Sequence, residues 1–188
     1  LRVFAYKPAP IQVTLYLCSL GLKTMDYRVS DPYLSPPVEA HDFVPPQQSL
    51  EKIIYLPDHH FIYAPTIQEP IKDKQNSTFT FACFNNLIKV NNQVIQTWIT
   101  ILKALPESVL AIKSALRIEC KKTQELYWQR FEQYGIERER VFFVPYSTTK
   151  EEHLSCYQDM DVSLDPFPFC GHISTLESLW MGVPVVTL

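Results

Sequence analysis

Residues 161–188 read DVSLDPFPFCGHISTLESLWMGVPVVTL, and this stretch decides the fold. Asp161 to Leu164 predicts a buried strand, Gly171 to Met181 a helix, and Val183 to Thr187 a further strand. Parallel strands need a helical crossover, so this order predicts two parallel strands in one sheet. The stretch therefore indicates an α/β unit.

The same alternation extends upstream to about residue 78. Asn91 or Asn92 is able to cap the first helix, and Thr149 with Glu152 has the spacing of a capping box. Strands and helices alternate with short connections, which predicts a Rossmann-like, doubly wound parallel sheet. The predicted strands are Phe79 to Phe84, Val109 to Ile112 and Val141 to Val144, and the predicted helices are Val94 to Leu105, Lys121 to Tyr134 (with Tyr127, Phe131 and Tyr134 on one face) and a short one from Lys150.

The first third of the chain is less regular. Short strands are predicted at Ile11 to Leu17, Asp26 to Ser30 and Glu51 to Leu56, and five prolines from Pro32 to Pro46 predict a loop. We therefore predict that residues 1–60 are the C-terminal part of a first Rossmann-like lobe. Residues 61–77 are predicted to be a linker, and residues 78–188 a second Rossmann-like lobe that is truncated.

Composition restricts the class of protein. The net charge of -3, from 17 basic and 20 acidic side chains, gives no reason to expect nucleic acid or a membrane as partner. No segment has the apolar length of a membrane span, and residues 1–6 do not resemble a signal peptide. The five cysteines are odd in number and widely spaced, which is typical of reduced core thiols in a cytoplasmic protein.

Ligands of a doubly wound sheet bind beyond the carboxyl ends of its strands. Three turns meet this rule: residues 84–89, 145–153 and 165–175. Lys89 ends the first turn after a buried strand and two amides, where a cation can neutralise charge on a departing nucleoside diphosphate. A solvated surface lysine is the alternative, and the sequence alone leaves the two even. Lys150 and His153 carry the same ambiguity.

The third turn places Gly171 and His172 before Ser174 and Thr175 at a predicted helix start. Free backbone N–H groups and hydroxyls there suit a diphosphate. The alternative is a capping box of Ser174 with Glu177, which would make that glutamate structural.

Other candidates for chemistry are weaker. His59 and His60 lack further ligands at metal spacing, and Asp159, Asp161 and Asp165 surround a strand instead of converging on one ion. The sequence contains no nucleophile elbow, P-loop or dinucleotide fingerprint. Neither a metal nor a cofactor is expected.

Ordered segments along nearly the whole chain resemble the catalytic region of the O-GlcNAc transferase and SPINDLY family. The resemblance implies the two-lobed GT-B fold, with the end of the first lobe and most of the second, nucleotide-sugar-binding lobe present. The segments include LRVFA at 1–5, KPAPIQV at 7–13, MDYR at 25–28, FNNLIK at 84–89, KEEH at 150–153, DVSLD at 161–165 and LWMGVPVVT at 179–187.

The resemblance also implies a function. It is the inverting, metal-independent transfer of N-acetylglucosamine from UDP-GlcNAc to Ser or Thr hydroxyls of acceptor proteins, in the cytoplasm. Tetratricopeptide repeats are expected in the full-length protein. No cofactor is implied beyond the UDP-sugar donor substrate.

The family's functional residues map onto matching positions of this chain. Lys89 and His172 are implied to be catalytic, with Lys89 on the diphosphate and leaving group and Asn86 beside it. Lys150 and His153 are implied to flank the uridine. The remaining donor-binding positions are Gly171, Ser174 and Thr175 at the pyrophosphate and Glu177 at the ribose hydroxyls, while Ile173 replaces a usual hydroxyl residue.

One departure keeps three hypotheses open. Residues 15–21 read LYLCSLG, where the family has a glycine-rich loop near the acceptor and sugar. The first hypothesis is that the chain is part of an active O-GlcNAc transferase. The second is a GDP-fucose-using relative of the SPINDLY branch, and the third is a non-catalytic interaction module. Lys150 and His153 favour UDP.

Overall fold

The structure is a computed structural model that describes residues 2–15, 18–37, 49–59, 61–65, 74, 77–114 and 118–188. The chain divides into two compact units, Leu1–Ala64 and Pro65–Leu188. Residues 38–46 of the predicted proline loop lie outside the described residues, as does most of the predicted linker. The three predicted domain ranges stay predictions.

The first unit contains a short helix, α1 (Arg2–Ala5), and a three-stranded parallel sheet in the order β1-β2-β3. The predicted strand at Ile11 to Leu17 is much shorter in its described part, because only Val13 and Thr14 pair with β2. The strands are β1 (Val13–Thr14), β2 (Tyr27–Ser30) and β3 (Lys52–Tyr55).

The second unit contains a five-stranded parallel sheet in the order β6-β5-β4-β7-β8. The chain runs outward from β4 to β6 and then returns to the other side of β4, so a topological switch point lies between β4 and β7. Its elements are β4 (Thr80–Cys83), α2 (Asn92–Ala104), β5 (Val109–Ile112), α3 (Lys121–Glu132), β6 (Val141–Phe143), α4 (Lys150–Ser155), β7 (Val162–Leu164), α5 (Ile173–Trp180) and β8 (Val185–Val186).

Both faces of this sheet are covered. Phe81 and Cys83 belong to one buried apolar cluster, whereas Ala82 and Phe84 belong to another, as the alternation of a strand requires. Helix α2 packs on the first cluster, and Trp98 at its centre is 2% exposed. The prediction of a doubly wound parallel sheet is confirmed.

Local signals at the helix ends are also confirmed in part. Asn91 caps α2 by accepting a hydrogen bond from Val94 N at 3.0 Å, and Thr149 forms the capping box of α4 with Glu152. The prediction for Tyr134 is wrong: α3 ends at Glu132, so that ring lies beyond the helix and is exposed.

The cysteine prediction is partly wrong. Cys83 is a buried core thiol, but Cys18 and Cys120 are exposed because they lie in irregular chain outside the strands and helices. Of the helices in the described residues, none has both the length and the apolar character needed to cross a bilayer.

Candidate functional site

A cavity of about 560 Å³ lies in the second unit, beyond the carboxyl ends of β4, β5, β6 and β7. Segments from all three predicted turns line it. The structure thus brings together seven of the nine residues singled out from the sequence, whereas Gly171 and Thr175 do not line the cavity. The seven are Asn86, Lys89, Lys150, His153, His172, Ser174 and Glu177.

Lys89 and Ser174, which lies at the start of α5, donate hydrogen bonds to the same acceptor oxygen. Its Nζ donates to Asn85 Oδ1 at 3.0 Å, and Ser174 Oγ donates to the same oxygen at 3.2 Å. Lys89 Nζ also donates to the carbonyl of Cys170 at 2.8 Å and lies 4.8 Å from the centroid of the Phe169 ring. The ammonium and the hydroxyl therefore lie side by side at the switch point between β4 and β7.

Gly171 fits closely behind the start of α5. Its N–H donates to Asp165 Oδ1 at 2.6 Å. A Cβ added there would lie 2.5 Å from Thr175 Oγ1 and 2.7 Å from Asp165 Oδ1, nearer than Cβ contacts normally come. In the described part of the chain, Thr175 Oγ1 is buried without a hydrogen-bond partner. Only a glycine therefore fits at this position without displacing a neighbour.

The capping box of Ser174 with Glu177 is wrong. Helix α5 begins at Ile173, and His172 occupies the N-cap position without a capping bond from its side chain. Glu177 consequently lies in the second turn of the helix and its carboxylate is engaged with residues of α4. The first turn of α5 carries no acidic side chain.

Glu177 is 4% exposed and bridges the two helices. One carboxylate oxygen pairs with Lys150 Nζ, and the other lies 2.9 Å from His153 Nε2. Burial raises the pKa of Glu177, but the hydrogen bonds from His153 and Lys150 outweigh it, so the pKa lies below its ordinary value. Glu177 is therefore ionised at neutral pH, with both oxygens oriented.

Asn86 has a local structural role in addition to its place in the cavity. Its Oδ1 accepts from Ile88 N at 3.1 Å and caps the short 3₁₀ helix Leu87–Lys89. This turn fixes the backbone that carries Lys89.

The site residues inferred from the sequence did not include Asn85 and Lys113, which also line the cavity. Asn85 is the hub between Lys89 and Ser174, and its Nδ2 also lies 3.4 Å from Asp165 Oδ1. Lys113 follows β5 directly, so the rule that ligands bind at the carboxyl ends of strands could have identified it.

The cavity is positive overall. The ammonium groups of Lys89, Lys113 and Lys150 line it, against the single carboxylate of Glu177. Such a balance favours an anionic ligand. Across the ranges that the structure describes, no three His, Cys, Asp or Glu side chains are grouped so that they could hold a metal ion.

Comparisons with known proteins identify a family model, related sequences and a solved structure that are similar to this chain. The sequence model of the family described as "Glycosyl transferase family 41" matches residues 71–188. A relative from Petunia hybrida, named "Probable UDP-N-acetylglucosamine--peptide N-acetylglucosaminyltransferase SPINDLY", is 38% identical over the whole chain. A relative from Arabidopsis thaliana is 33% identical, also over the whole chain, and its name differs only in ending with SEC instead of SPINDLY.

The fold has a counterpart of known structure. An O-GlcNAc transferase from Thermobaculum terrenum matches 98% of this chain with a TM-score of 0.83 and 31% identity. The predicted GT-B-type α/β fold is thereby confirmed. The chain spans about a fifth of the length of the two plant relatives (20% and 19%) and about a third of that solved chain (34%).

Proposed function

Because the chain belongs to glycosyl transferase family 41, we propose that its second unit binds a UDP-sugar donor for protein glycosylation. The reaction we propose is the inverting transfer of N-acetylglucosamine from UDP-GlcNAc to Ser or Thr hydroxyls of acceptor proteins. The relatives' names support the sugar and the peptide acceptor, and we extend both to this chain.

One observation carries the proposal. Lys89 Nζ and Ser174 Oγ bond the same Asn85 oxygen, at the switch point where doubly wound folds bind phosphates. A helix start, a hydroxyl and an ammonium group together provide what a diphosphate requires. The third hydrogen of the Lys89 ammonium is then available to a phosphate oxygen.

The proposed mechanism is a single displacement. An acceptor hydroxyl attacks the anomeric carbon and loses its proton to water, the bond to the β-phosphate oxygen breaks with its electron pair going to UDP, and the sugar configuration inverts. Negative charge grows on the departing UDP, so Lys89 stabilises the transition state more than the bound donor. His172, at the N-cap of α5 and in the cavity wall, is proposed as the second catalytic side chain.

The rest of the donor would follow the cavity from the start of α5. Gly171, Ser174 and Thr175 are proposed to form the diphosphate position, with Ser174 lining the cavity and Gly171 packed against Thr175 Oγ1. The Glu177 carboxylate would accept hydrogen bonds from ribose hydroxyls, and Lys150 and His153 would flank the base. The Lys89 ammonium group supplies positive charge at the diphosphate, so the proposal includes no metal ion.

GDP-fucose is the second candidate donor. The relatives named SPINDLY and SEC, at 38% and 33% identity, both have names that give UDP-N-acetylglucosamine, so their names do not support it. The resemblance to the SPINDLY branch implies that donor, whereas Lys150 and His153 favour UDP.

The test is a transfer assay with the full-length protein. The protein is supplied with UDP-GlcNAc or GDP-fucose and a Ser/Thr-containing acceptor, and the product is identified by mass and by the NMR coupling of its anomeric proton. We expect transfer from UDP-GlcNAc with a β-linked product. Transfer only from GDP-fucose would show that GDP-fucose is the donor. Nucleotide binding without transfer would favour the interaction-module hypothesis. Absence of any nucleotide binding would refute the proposal.

A further inference from the structure

Lys113 places a buried ammonium group in the cavity wall. The residue is 4% exposed, and its Nζ donates to Ser147 Oγ and to Cys156 Sγ, the latter at 3.0 Å. Among the residues that the structure describes, no ion pair within 4.0 Å involves Lys113. Burying a cation without a carboxylate in direct contact is costly, which makes Lys113 a candidate for contact with a ligand.

The strand order places Lys113 at one end of the cavity. Lys89 and Ser174 lie after β4 and β7, on either side of the switch point, whereas Lys113 follows β5 and Ser147 follows β6. Neighbouring strands are about 4.8 Å apart, so the two ends are separated by one to three strand spacings. A nucleoside diphosphate with its phosphates at α5 would extend its base toward β5 and β6.

Aromatic side chains lie near Lys113 at this end of the cavity. The Phe84 ring centroid is 5.8 Å from Lys113 Nζ, 6.2 Å from the His153 ring centroid and 4.6 Å from that of Tyr157. Phe84 and His153 both line the cavity. This combination of ring surfaces with one directed polar group is typical of a subsite for a planar heterocycle.

We propose that Lys113 selects the nucleobase of the donor by donating a hydrogen bond to a ring carbonyl oxygen. The inference rests on the proposed function and names a specificity residue for it. A lysine ammonium has three donors and no acceptor. It therefore matches O4 of uracil or O6 of guanine and opposes the amino groups that cytosine and adenine carry at those positions.

Calorimetry on the full-length protein tests this inference with UDP, CDP, GDP and ADP. Wild-type protein is expected to bind UDP at least tenfold more tightly than CDP, since a charged hydrogen bond is worth roughly this much. In Lys113→Met, UDP affinity falls by roughly tenfold and CDP affinity stays nearly constant, so the preference disappears. Lys103→Met, at an exposed lysine of α2, is the matched control and keeps the preference.

A second measurement needs no variant. Wild-type protein is expected to bind the diphosphate of 2-pyrimidinone riboside, which lacks the C4 oxygen, roughly tenfold more weakly than UDP. A preference for GDP over ADP would equally support the inference, with guanine as the base.

Two results would overturn the inference. Equal losses of UDP and CDP affinity in Lys113→Met would make Lys113 a general source of positive charge. Equal binding of UDP and the analogue by wild-type protein would exclude contact with the carbonyl. Both results would leave the proposed function intact, whereas wild-type protein that binds no nucleoside diphosphate would refute the proposed function itself.

Discussion

His153 Nε2 lies 2.9 Å from Glu177 Oε2, so a hydrogen bond between two cavity side chains joins α4 to α5. Replacing Glu177 with Gln removes the charge that attracts Lys150 and His153 and weakens the proposed acceptor of ribose hydroxyls. We expect UDP to bind Glu177→Gln roughly tenfold more weakly, measured by calorimetry on the full-length protein. Glu151→Gln, at an exposed position of the partner helix α4, is the control and is expected to bind UDP as tightly as the wild type. If Glu177→Gln bound UDP with unchanged affinity, Glu177 would not be the acceptor of the ribose hydroxyls.

Glu51 makes the stability of the first unit depend on pH. Its carboxylate accepts hydrogen bonds from Ser19 Oγ at 2.7 Å, Leu20 N at 2.8 Å and Ser49 Oγ at 2.7 Å. Burial raises the pKa of Glu51, but the hydrogen bonds, led by those from Ser19 and Ser49, lower it to about 2. The stabilisation is therefore complete above the ordinary value of 4.5 and is lost as pH falls from there toward 2.

The variant Glu51→Gln tests this dependence by thermal unfolding of the full-length protein between pH 2 and pH 7. At neutral pH we expect the variant to be less stable by about 2 kcal/mol, because hydrogen bonds to a charged acceptor are replaced by weaker ones. The difference should shrink as pH falls below 4.5. Asp58→Asn, at an exposed position of the same unit, is the control. A difference that stays constant with pH would contradict the ionised role of Glu51.

In the first unit the sequence predicted β2 and β3 closely but not the shortness of β1, whereas it predicted every described strand and α-helix of the second unit. Its strands are apolar runs such as Val109 to Ile112, and its helices have polar caps such as Asn91, so local pattern and tertiary packing agree. In the first unit, β1 is only two residues long in its described part, and the sheet has three strands. A short strand of this kind is stabilised by its neighbours more than by its own residues.

The sequence predicted which turns line the candidate site, but not the hydrogen bonds between their side chains. The rule on strand ends and the family resemblance identified Lys89 and Glu177 from the sequence. Neither could show that Asn85 joins Lys89 to Ser174, because such a contact depends on side-chain geometry across two strands. The capping box at Glu177 was wrong for the same reason: its spacing suits a cap, but Lys150 and His153 on α4 bond the carboxylate instead.

Gly171→Ala tests the close fit behind α5. The added methyl group would meet Thr175 Oγ1 at 2.5 Å and Ser174 Oγ at 2.8 Å, and it would press on the Asp165 oxygen that binds the Gly171 N–H. We expect a loss of about 1–3 kcal/mol in stability, measured by denaturant unfolding, together with weaker UDP binding. Cys170→Ala is the neighbouring control, because it keeps the carbonyl that accepts from Lys89. Wild-type stability and affinity in Gly171→Ala would contradict the described fit.

Lys89→Met tests the role proposed for the leaving group. The substitution keeps an apolar stem of similar length but removes the ammonium that bonds Asn85 Oδ1 and the Cys170 carbonyl. Charge on the diphosphate is greatest as the bond to the sugar breaks, so the loss falls mainly on the transition state. We expect kcat for the full-length protein to fall by roughly 100-fold or more while KM for the donor changes much less. Lys103→Met keeps wild-type kinetics as the control, and thermal unfolding of both variants excludes a loss of fold. Turnover by Lys89→Met at the wild-type rate would show that another group stabilises the departing nucleotide.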